Sequence, residues 1–283
     1  MRKVVDSNYL GTQELRDYLA ASRENKLVIT DYAEMEMFKA DSLQGLLKST
    51  EIISQYPKQA LLAKTTDVAT NLRGRKKGLK KRFIDKKRTR AFRNWCRKRE
   101  KIESGDPAFE EERIRARAEA IAHLDHMLQN IEGLKDDLET HALQYYTQEE
   151  LTILRNRKPL TPGLLDKLID GTMDFALKLF AANPDLEELP STAELPYTFT
   201  FRFALCAYLH AAHWIAAGGG KDRKLEKFRN DLVDVAVVAY ATCFDGLLSN
   251  DKLANEIYDN AMFLLTKGFL RKEVQPAKPR KAG

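Results

Sequence analysis

Apolar and polar positions alternate at two different periods along this chain. Lys3-Val4-Val5 is a short apolar run, closed by Asp6-Ser7-Asn8, as for a buried strand. A helical spacing around Leu15, Tyr18 and Leu19 follows, and Leu27-Val28-Ile29-Thr30 is a second strand candidate. A helix is predicted to start at Asp31, and the helical reading continues through Leu46, Leu47, Ile52 and Ile53 up to Pro57. Residues 1–62 therefore read as α/β units.

The pattern then changes. Residues 63–105 are dominated by a basic stretch with Phe83, Phe92 and Trp95 interleaved, and Gly105-Asp106-Pro107 breaks it. Ile114, Ala118, Ile121, Leu124, Leu128 and Ile131 keep near-helical spacing. Leu160-Thr161-Pro162 opens another helix, with Pro162 suited to a first turn. It runs through Leu165, Leu168, Ile169, Met173, Leu177 and Phe180 and stops at Asn183-Pro184. Pro190 and Pro196 bracket a loop, and Phe199 to Ala217 is apolar enough to be a buried helix. Gly218-Gly219-Gly220-Lys221 reads as a plain turn, since it follows a helix and lacks the spacing of a phosphate loop. A helix over Lys224 to Tyr240, a strand over Phe244 to Ser249 and a helix over Leu253 to Leu265 complete the order. Residues 271–283, rich in Lys, Arg and Pro, read as a disordered tail. The α/β character lies at the two ends of the chain: 1–62 and 222–270 form one discontinuous domain, and 63–221 is a basic and helical insertion.

Length and composition allow this arrangement. A chain of 283 residues, 43% hydrophobic, builds a sizeable core in one large domain or two moderate ones. Met1-Arg2-Lys3 does not open a secretory pattern, and the longest apolar stretch, Phe203 to Ala217, is too short for a bilayer and contains His210 and His213. A soluble cytoplasmic protein without a membrane partner is expected. Cys96, Cys206 and Cys243 are far apart and odd in number, as for reduced thiols.

Charge adds a partner. Between Arg73 and Lys101 stand sixteen Lys or Arg against Asp85 and Glu100, a local +14. The chain total is +6, so the remainder carries −8. Such asymmetry points to a polyanion. The candidate nucleic-acid-binding residues are Arg73, Arg75, Lys76, Lys77, Lys80, Lys81, Arg82, Lys86, Lys87, Arg88, Arg90 and Arg93. A solvated helix face is the plainer reading of a charge run, but this density exceeds what solubility requires. Phe92 and Trp95 fit core packing better than base stacking.

The acids share a position. Asp6 directly follows the first apolar run, and Asp251 lies two residues past the last one. Ligands of parallel α/β sheets bind beyond the carboxyl ends of the strands. Glu36 sits on the helix after the second strand candidate, and Asp231 and Asp234, three apart, share a helix face. Acids brought together from separate segments repel each other unless a cation binds them, and oxygen-only ligands suit Mg²⁺ or Mn²⁺.

This arrangement resembles the PIN-domain family of metal-dependent nucleases. The matching residues are Val4-Val5-Asp6-Ser7-Asn8, Thr30-Asp31-Tyr32-Ala33-Glu34-Met35-Glu36, Asn230-Asp231 and Ser249-Asn250-Asp251, over roughly residues 1–60 and 225–265. The resemblance implies a three-layer α/β/α fold with a parallel sheet, here carrying a large, mainly helical insertion. It also implies an acid cluster that binds Mg²⁺ or Mn²⁺ and hydrolyses phosphodiesters, usually in RNA. Residue by residue it gives Asp6, Glu36, Asp231 and Asp251 as metal ligands. Asp234 competes with Asp231 for its place in the catalytic set, Ser249 is the small hydroxyl residue of the last motif, and Asn8 is the polar residue after the first acid. RNA is the favoured partner over DNA, and toxin or defence nucleases, with a protein inhibitor or self-association, are roles the family includes.

Each acid also has a structural reading. Asp6 and Asp251 could be helix caps. Asp31 and Glu34 have capping-box spacing, which leaves Glu36 as the better ligand. Asp245, at a strand start, reads as a turn residue. The pairs His123/His126 and His210/His213 have helical spacing but no accompanying zinc motif, and nothing in the sequence directs His213 or Arg202 toward the site. Two rival functions remain: a non-catalytic nucleic-acid-binding module on a degenerate nuclease fold, and a phosphohydrolase of the haloacid-dehalogenase type. The latter wants an acid where Asn8 stands.

Overall fold

In the computed structural model, residues 1–40, 42–99, 103–104, 107–129, 146–156, 158–186, 188–216 and 225–268 are described. The triple-glycine turn, the tail over 271–283, Ile131, Glu100 and Lys101 lie outside the described residues, as do the side chains of His123 and His126.

Four parallel strands form one sheet: β1 (Arg2–Val5), β2 (Lys26–Ile29), β3 (Ala60–Leu62) and β4 (Leu247–Leu248), in the order β3-β2-β1-β4. In the β1–β2 register Val4 lies beside Val28 and Val5 beside Ile29. Alternate side chains leave opposite faces of a strand. Val4 and Val28 accordingly enter one hydrophobic core, whereas Val5, Leu27 and Ile29 enter another. Both faces are covered, which makes the fold α/β with an all-parallel sheet.

The second core is built by α1 (Gln13–Ala21), α2 (Asp31–Phe38), α3 (Leu43–Gln55) and α6 (Lys86–Arg97), which contribute Leu15, Leu19, Met37, Leu46, Ile52, Ile53, Phe92 and Cys96. The first core continues from the sheet through α4 (Thr66–Thr70) into α8 (Gln148–Arg155), α9 (Pro162–Ala181), α10 (Phe199–Ala216), α11 (Leu225–Thr242) and α12 (Lys252–Phe263). Short α5 (Leu79–Arg82) and long α7 (Pro107–Gln129) complete the helices. Helix α10 is buried almost all round and packs on α8, α9, α11 and α12. Helices on both sides of the 222 boundary thus share one apolar core.

Local chemistry explains several boundaries. Thr161 caps α9 by accepting from Leu164 N, with Pro162 in the first turn, as the Leu-Thr-Pro signal predicts. At α2 the helix begins at Asp31, but the cap is Thr30, whose hydroxyl accepts from Ala33 N at 3.2 Å. The Asp31–Glu34 capping box does not form, because the buried Asp31 carboxylate turns inward to accept from Thr66 N at 2.7 Å. Strand β3 was not foreseen: Ala60-Leu61-Leu62 has no strand-specific composition and is extended by pairing with β2. Strand β4 is shorter than Phe244 to Ser249, because only Leu247 and Leu248 reach β1. In α7, Ile114 is exposed and Arg113 is buried, donating to Ala40 O at 3.3 Å, so the apolar stripe read there does not all face inward.

Candidate active site at the ends of β1 and β4

The sheet order reverses at β1: β2 and β3 extend to one side, β4 to the other. A crevice beyond the carboxyl ends of the strands forms at such a switch point. Asp6 follows β1, and its backbone N donates to Leu248 O at 2.9 Å, carrying the pairing one residue past the strand. Asp251 follows β4. The two acids are 245 positions apart in the chain, and their loops are held together by a polar lattice. Asp6 Oδ2 accepts from Asn8 Nδ2 and from Ser249 Oγ, each at 2.6 Å. Ser249 Oγ in turn accepts from Asp251 N at 3.0 Å. Asn8 Oδ1 accepts from Asn250 N at 3.0 Å.

The remaining acids come from helices. Asp231 and Asp234 project from α11, which packs on both β1 and α2. Glu36 comes from α2. Burial pushes the Asp234 carboxyl up to about 7, and the charges of Asp6, Glu36, Asp251 and Asp231 add to the shift. Five carboxylates from four separate stretches of chain therefore share one field. Glu36 is also raised, first by burial, opposed by a hydrogen bond to Ser7, and assisted by Asp6.

The structural readings resolve one by one. Asp6 occupies the N-cap position of a short 3₁₀ turn, Ser7–Tyr9, but its side chain makes no cap hydrogen bond. Asp251 does cap α12: its Oδ1 accepts from Leu253 N at 2.6 Å and Ala254 N at 3.0 Å. Glu34 faces away from the acids into an ion pair with Arg88. Asp245 lies at the opposite end of the sheet, accepting from Arg2 N at 2.8 Å and pairing with Lys80.

Two histidines belong to this neighbourhood, and sequence spacing alone did not place them. On α10, His210 Nε2 lies 4.0 Å from Asp231 Oδ1, and one turn on, His213 Nε2 lies 3.6 Å from Glu256 Oε1. The two imidazoles thus lie beside different acids. Their three-residue spacing on an apolar helix was the legible signal; the partners were not. Arg202 is buried elsewhere, donating to Pro196 O at 2.8 Å and to Thr242 O.

The basic run divides. Lys80 pairs with Asp245, and Arg82 donates to the carbonyls of Arg73 and Arg75. Arg88 pairs with Glu34 and donates to Ala63 O at 3.2 Å, and Arg93 donates to Ala60 O at 3.0 Å. These four tie the segment to the fold. Arg73, Arg75, Lys76, Lys77, Lys81, Lys86, Lys87 and Arg90 are exposed. Lys86, Arg90, Arg93 and Arg97 line a surface cavity of about 360 Å³ outside β3. Phe92 stacks on Trp95 at 5.8 Å between ring centroids, within the second core, so these rings are packing residues.

An all-oxygen donor set is what Mg²⁺ and Mn²⁺ select, and a divalent cation would offset the carboxylate charges that act on Asp234. The chemistry of the residues fits such an ion. As the side chains stand, no three His, Cys, Asp or Glu among the described residues converge closely enough to hold one. Loading would require side-chain rotation, which the exposed Glu36 is freest to make, since Asp6 is buried and hydrogen-bonded and Asp251 caps a helix. No helix among the described residues is long and apolar enough to cross a membrane. No family model matches this chain, and neither a curated protein nor a solved structure does.

Proposed function

We propose that this chain is a metal-dependent nuclease of PIN-like design that hydrolyses phosphodiester bonds, RNA before DNA. The observation that carries the reading is the shared field at Asp234, in which Asp6, Glu36, Asp231 and Asp251 all act on one half-buried carboxyl at the switch point of the sheet. Asp6, Glu36, Asp231 and Asp251 would hold Mg²⁺ or Mn²⁺, which when bound supplies charge neutralisation at the phosphate and a more acidic water. Asn8 and Ser249 orient Asp6 by donating to its Oδ2, and Oδ1 would be the oxygen left to serve an ion. Asp234, pushed up to about 7 by burial and by the neighbouring carboxylates, would be able to carry a proton near neutral pH when no cation is bound. The exposed cations from Arg73 to Arg90 attract the nucleic-acid backbone, a contact that carries no sequence information. The haloacid-dehalogenase reading loses ground, because Asn8 stands where the second acid is needed and is committed to Asp6, Ser249 and Asn250.

The test is cleavage of end-labelled single-stranded RNA and DNA with Mn²⁺ by the wild type, Asp6→Asn and Asp231→Asn. Wild-type cleavage lost in both variants is expected; equal rates in all three would overturn the proposal. A second reading, a binding module without catalysis, draws on the absence of a ligating triplet among the described residues. It requires RNA binding indifferent to chelators and no cleavage with any divalent ion.

A further inference from the structure

Beside the acids lies a cavity of about 620 Å³, inside the roughly 300–1,000 Å³ range of small-ligand sites. Its floor is aliphatic, with Leu154, Leu168, Leu209 and Ala212 from α8, α9 and α10. Its rim is polar, with His213, Lys252, Asn255, Glu256, Asp259 and Asn260. We infer that this cavity is a nucleotide subsite, which takes one unpaired base of the RNA strand while the adjoining phosphate lies at the acid cluster. The inference rests on the nuclease reading for the position of that phosphate.

Three observations on different elements carry it. First, the cavity wall and the acid loop are one hydrogen-bonded unit. Asn255, which lines the cavity, donates its Nδ2 to Ser249 O at 2.8 Å and to Asp251 O at 2.7 Å. Second, α10 spans both sites: His210 faces Asp231 in the cluster, and His213, one turn on, faces Glu256 in the cavity rim. Third, the lining matches a heterocycle. A base has two apolar faces and a hydrogen-bonding edge, and the cavity offers an aliphatic floor with carboxylate, amide and imidazole groups around it. Lys252 follows Asp251 directly and gives the rim an ammonium for a flanking phosphate. Among the described residues no Phe, Tyr or Trp lines the cavity, so aliphatic contact, the His213 imidazole and edge hydrogen bonds hold the base.

Photocrosslinking tests this without requiring turnover. A short single-stranded RNA substituted with thiouridine is irradiated with the full-length protein in EDTA, and adducts are mapped by mass spectrometry. Adducts are expected on segments 153–160 and 252–260. Two blocking variants, Leu160→Trp and Asn260→Trp, fill the cavity from the segment before α9 and from α12, and each should lower those adducts by about tenfold, or about 1.4 kcal/mol. Melting temperatures near that of the wild type qualify each blocker, and the second decides if the first misfolds. Adducts confined to other segments, or undiminished in a folded blocker, would overturn the subsite. Cavity adducts in a protein that cleaves no RNA under Mn²⁺ would overturn the catalytic reading and keep the subsite; cleavage without cavity adducts would do the reverse.

Discussion

The acid cluster and the basic run are opposite solutions to placing charge. The acids are scattered over 245 positions, yet the fold gathers them until Asp6, Glu36, Asp231 and Asp251 all act on Asp234. The cations are dense over less than thirty positions, yet the fold spreads them. Arg82, Arg88 and Arg93 are consumed by carbonyls or Glu34, Lys80 by Asp245, Arg99 by Glu103 and Leu47 O, whereas Arg73, Arg75, Lys76, Lys77, Lys81, Lys86, Lys87 and Arg90 face solvent. Local density in a sequence is therefore a poor guide to a field. Like charges close in sequence avoid one another at little cost on a helix surface, whereas like charges held at a sheet switch point by separate elements cannot.

The sharpest way to break the comparison is at the acids. Asp6→Asn or Asp231→Asn should lower Mn²⁺-dependent RNA cleavage by more than about 100-fold, since removing even supporting partners of a metal site costs 10–100-fold. A loss under about threefold, measured as kcat/KM, would make the shared field a structural accident.

Next come the exposed cations. Replacing Lys76, Lys77, Lys86 and Lys87 together with Ala should reduce the slope of log binding constant against log salt by about 3, at roughly 0.7 per phosphate contact on a single strand. Fluorescence anisotropy across a salt series reads this, and an unchanged slope would show that the exposed half of the run does not meet the backbone.

The tied cations should behave otherwise. Arg88→Ala leaves Glu34 half-buried without its partner and should cost about 1–3 kcal/mol in urea unfolding. Lys87→Ala, exposed on the same helix, should stay within about 0.5 kcal/mol. Equal costs would erase the division of the run.

The smallest effect is a titration. The folded-state pKa of Asp234 is raised, so the stability linked to it is fully present below the ordinary carboxylate range and is lost as pH rises through about 7. The metal-free protein should melt lower above that pH than at mildly acidic pH. Asp234→Asn mimics the protonated form, so it should stabilise the metal-free protein by roughly 1–2 kcal/mol above pH 7, after discounting for solvent access, with the difference shrinking through the acid range and vanishing below about pH 3. A variant less stable than the wild type at alkaline pH would show that Asp234 is held by an attraction and not by repulsion.

Much of the framework was legible along the chain. Strands β1 and β2, the start of α2, the Thr161-Pro162 opening of α9 and the buried α10 all follow from apolar period and cap chemistry. Those signals are local, and local propensity agrees with the fold there. What escaped were features that neighbours impose. Strand β3 has no strand composition and exists because β2 offers it an edge. Asp31 fits a cap, yet Thr66 N draws its carboxylate inside and Thr30 takes the cap. The cap reading of Asp251 was legible and is borne out; what the sequence did not show is that the same carboxylate also acts on Asp234, with Oδ1 serving the helix.

The sequence by itself determined that Asp6 and Asp251 could meet, because each follows an apolar run that ends at the same side of a parallel sheet, and offered Glu36, Asp231 and Asp234 on helices as further candidates. Only the tertiary structure decided that Asp234 would carry the strain of that meeting, that His210 and His213 would turn toward acids, and which cations would stay free. Those outcomes depend on burial and on distances between elements far apart in the chain, and neither is a property of any local stretch of residues.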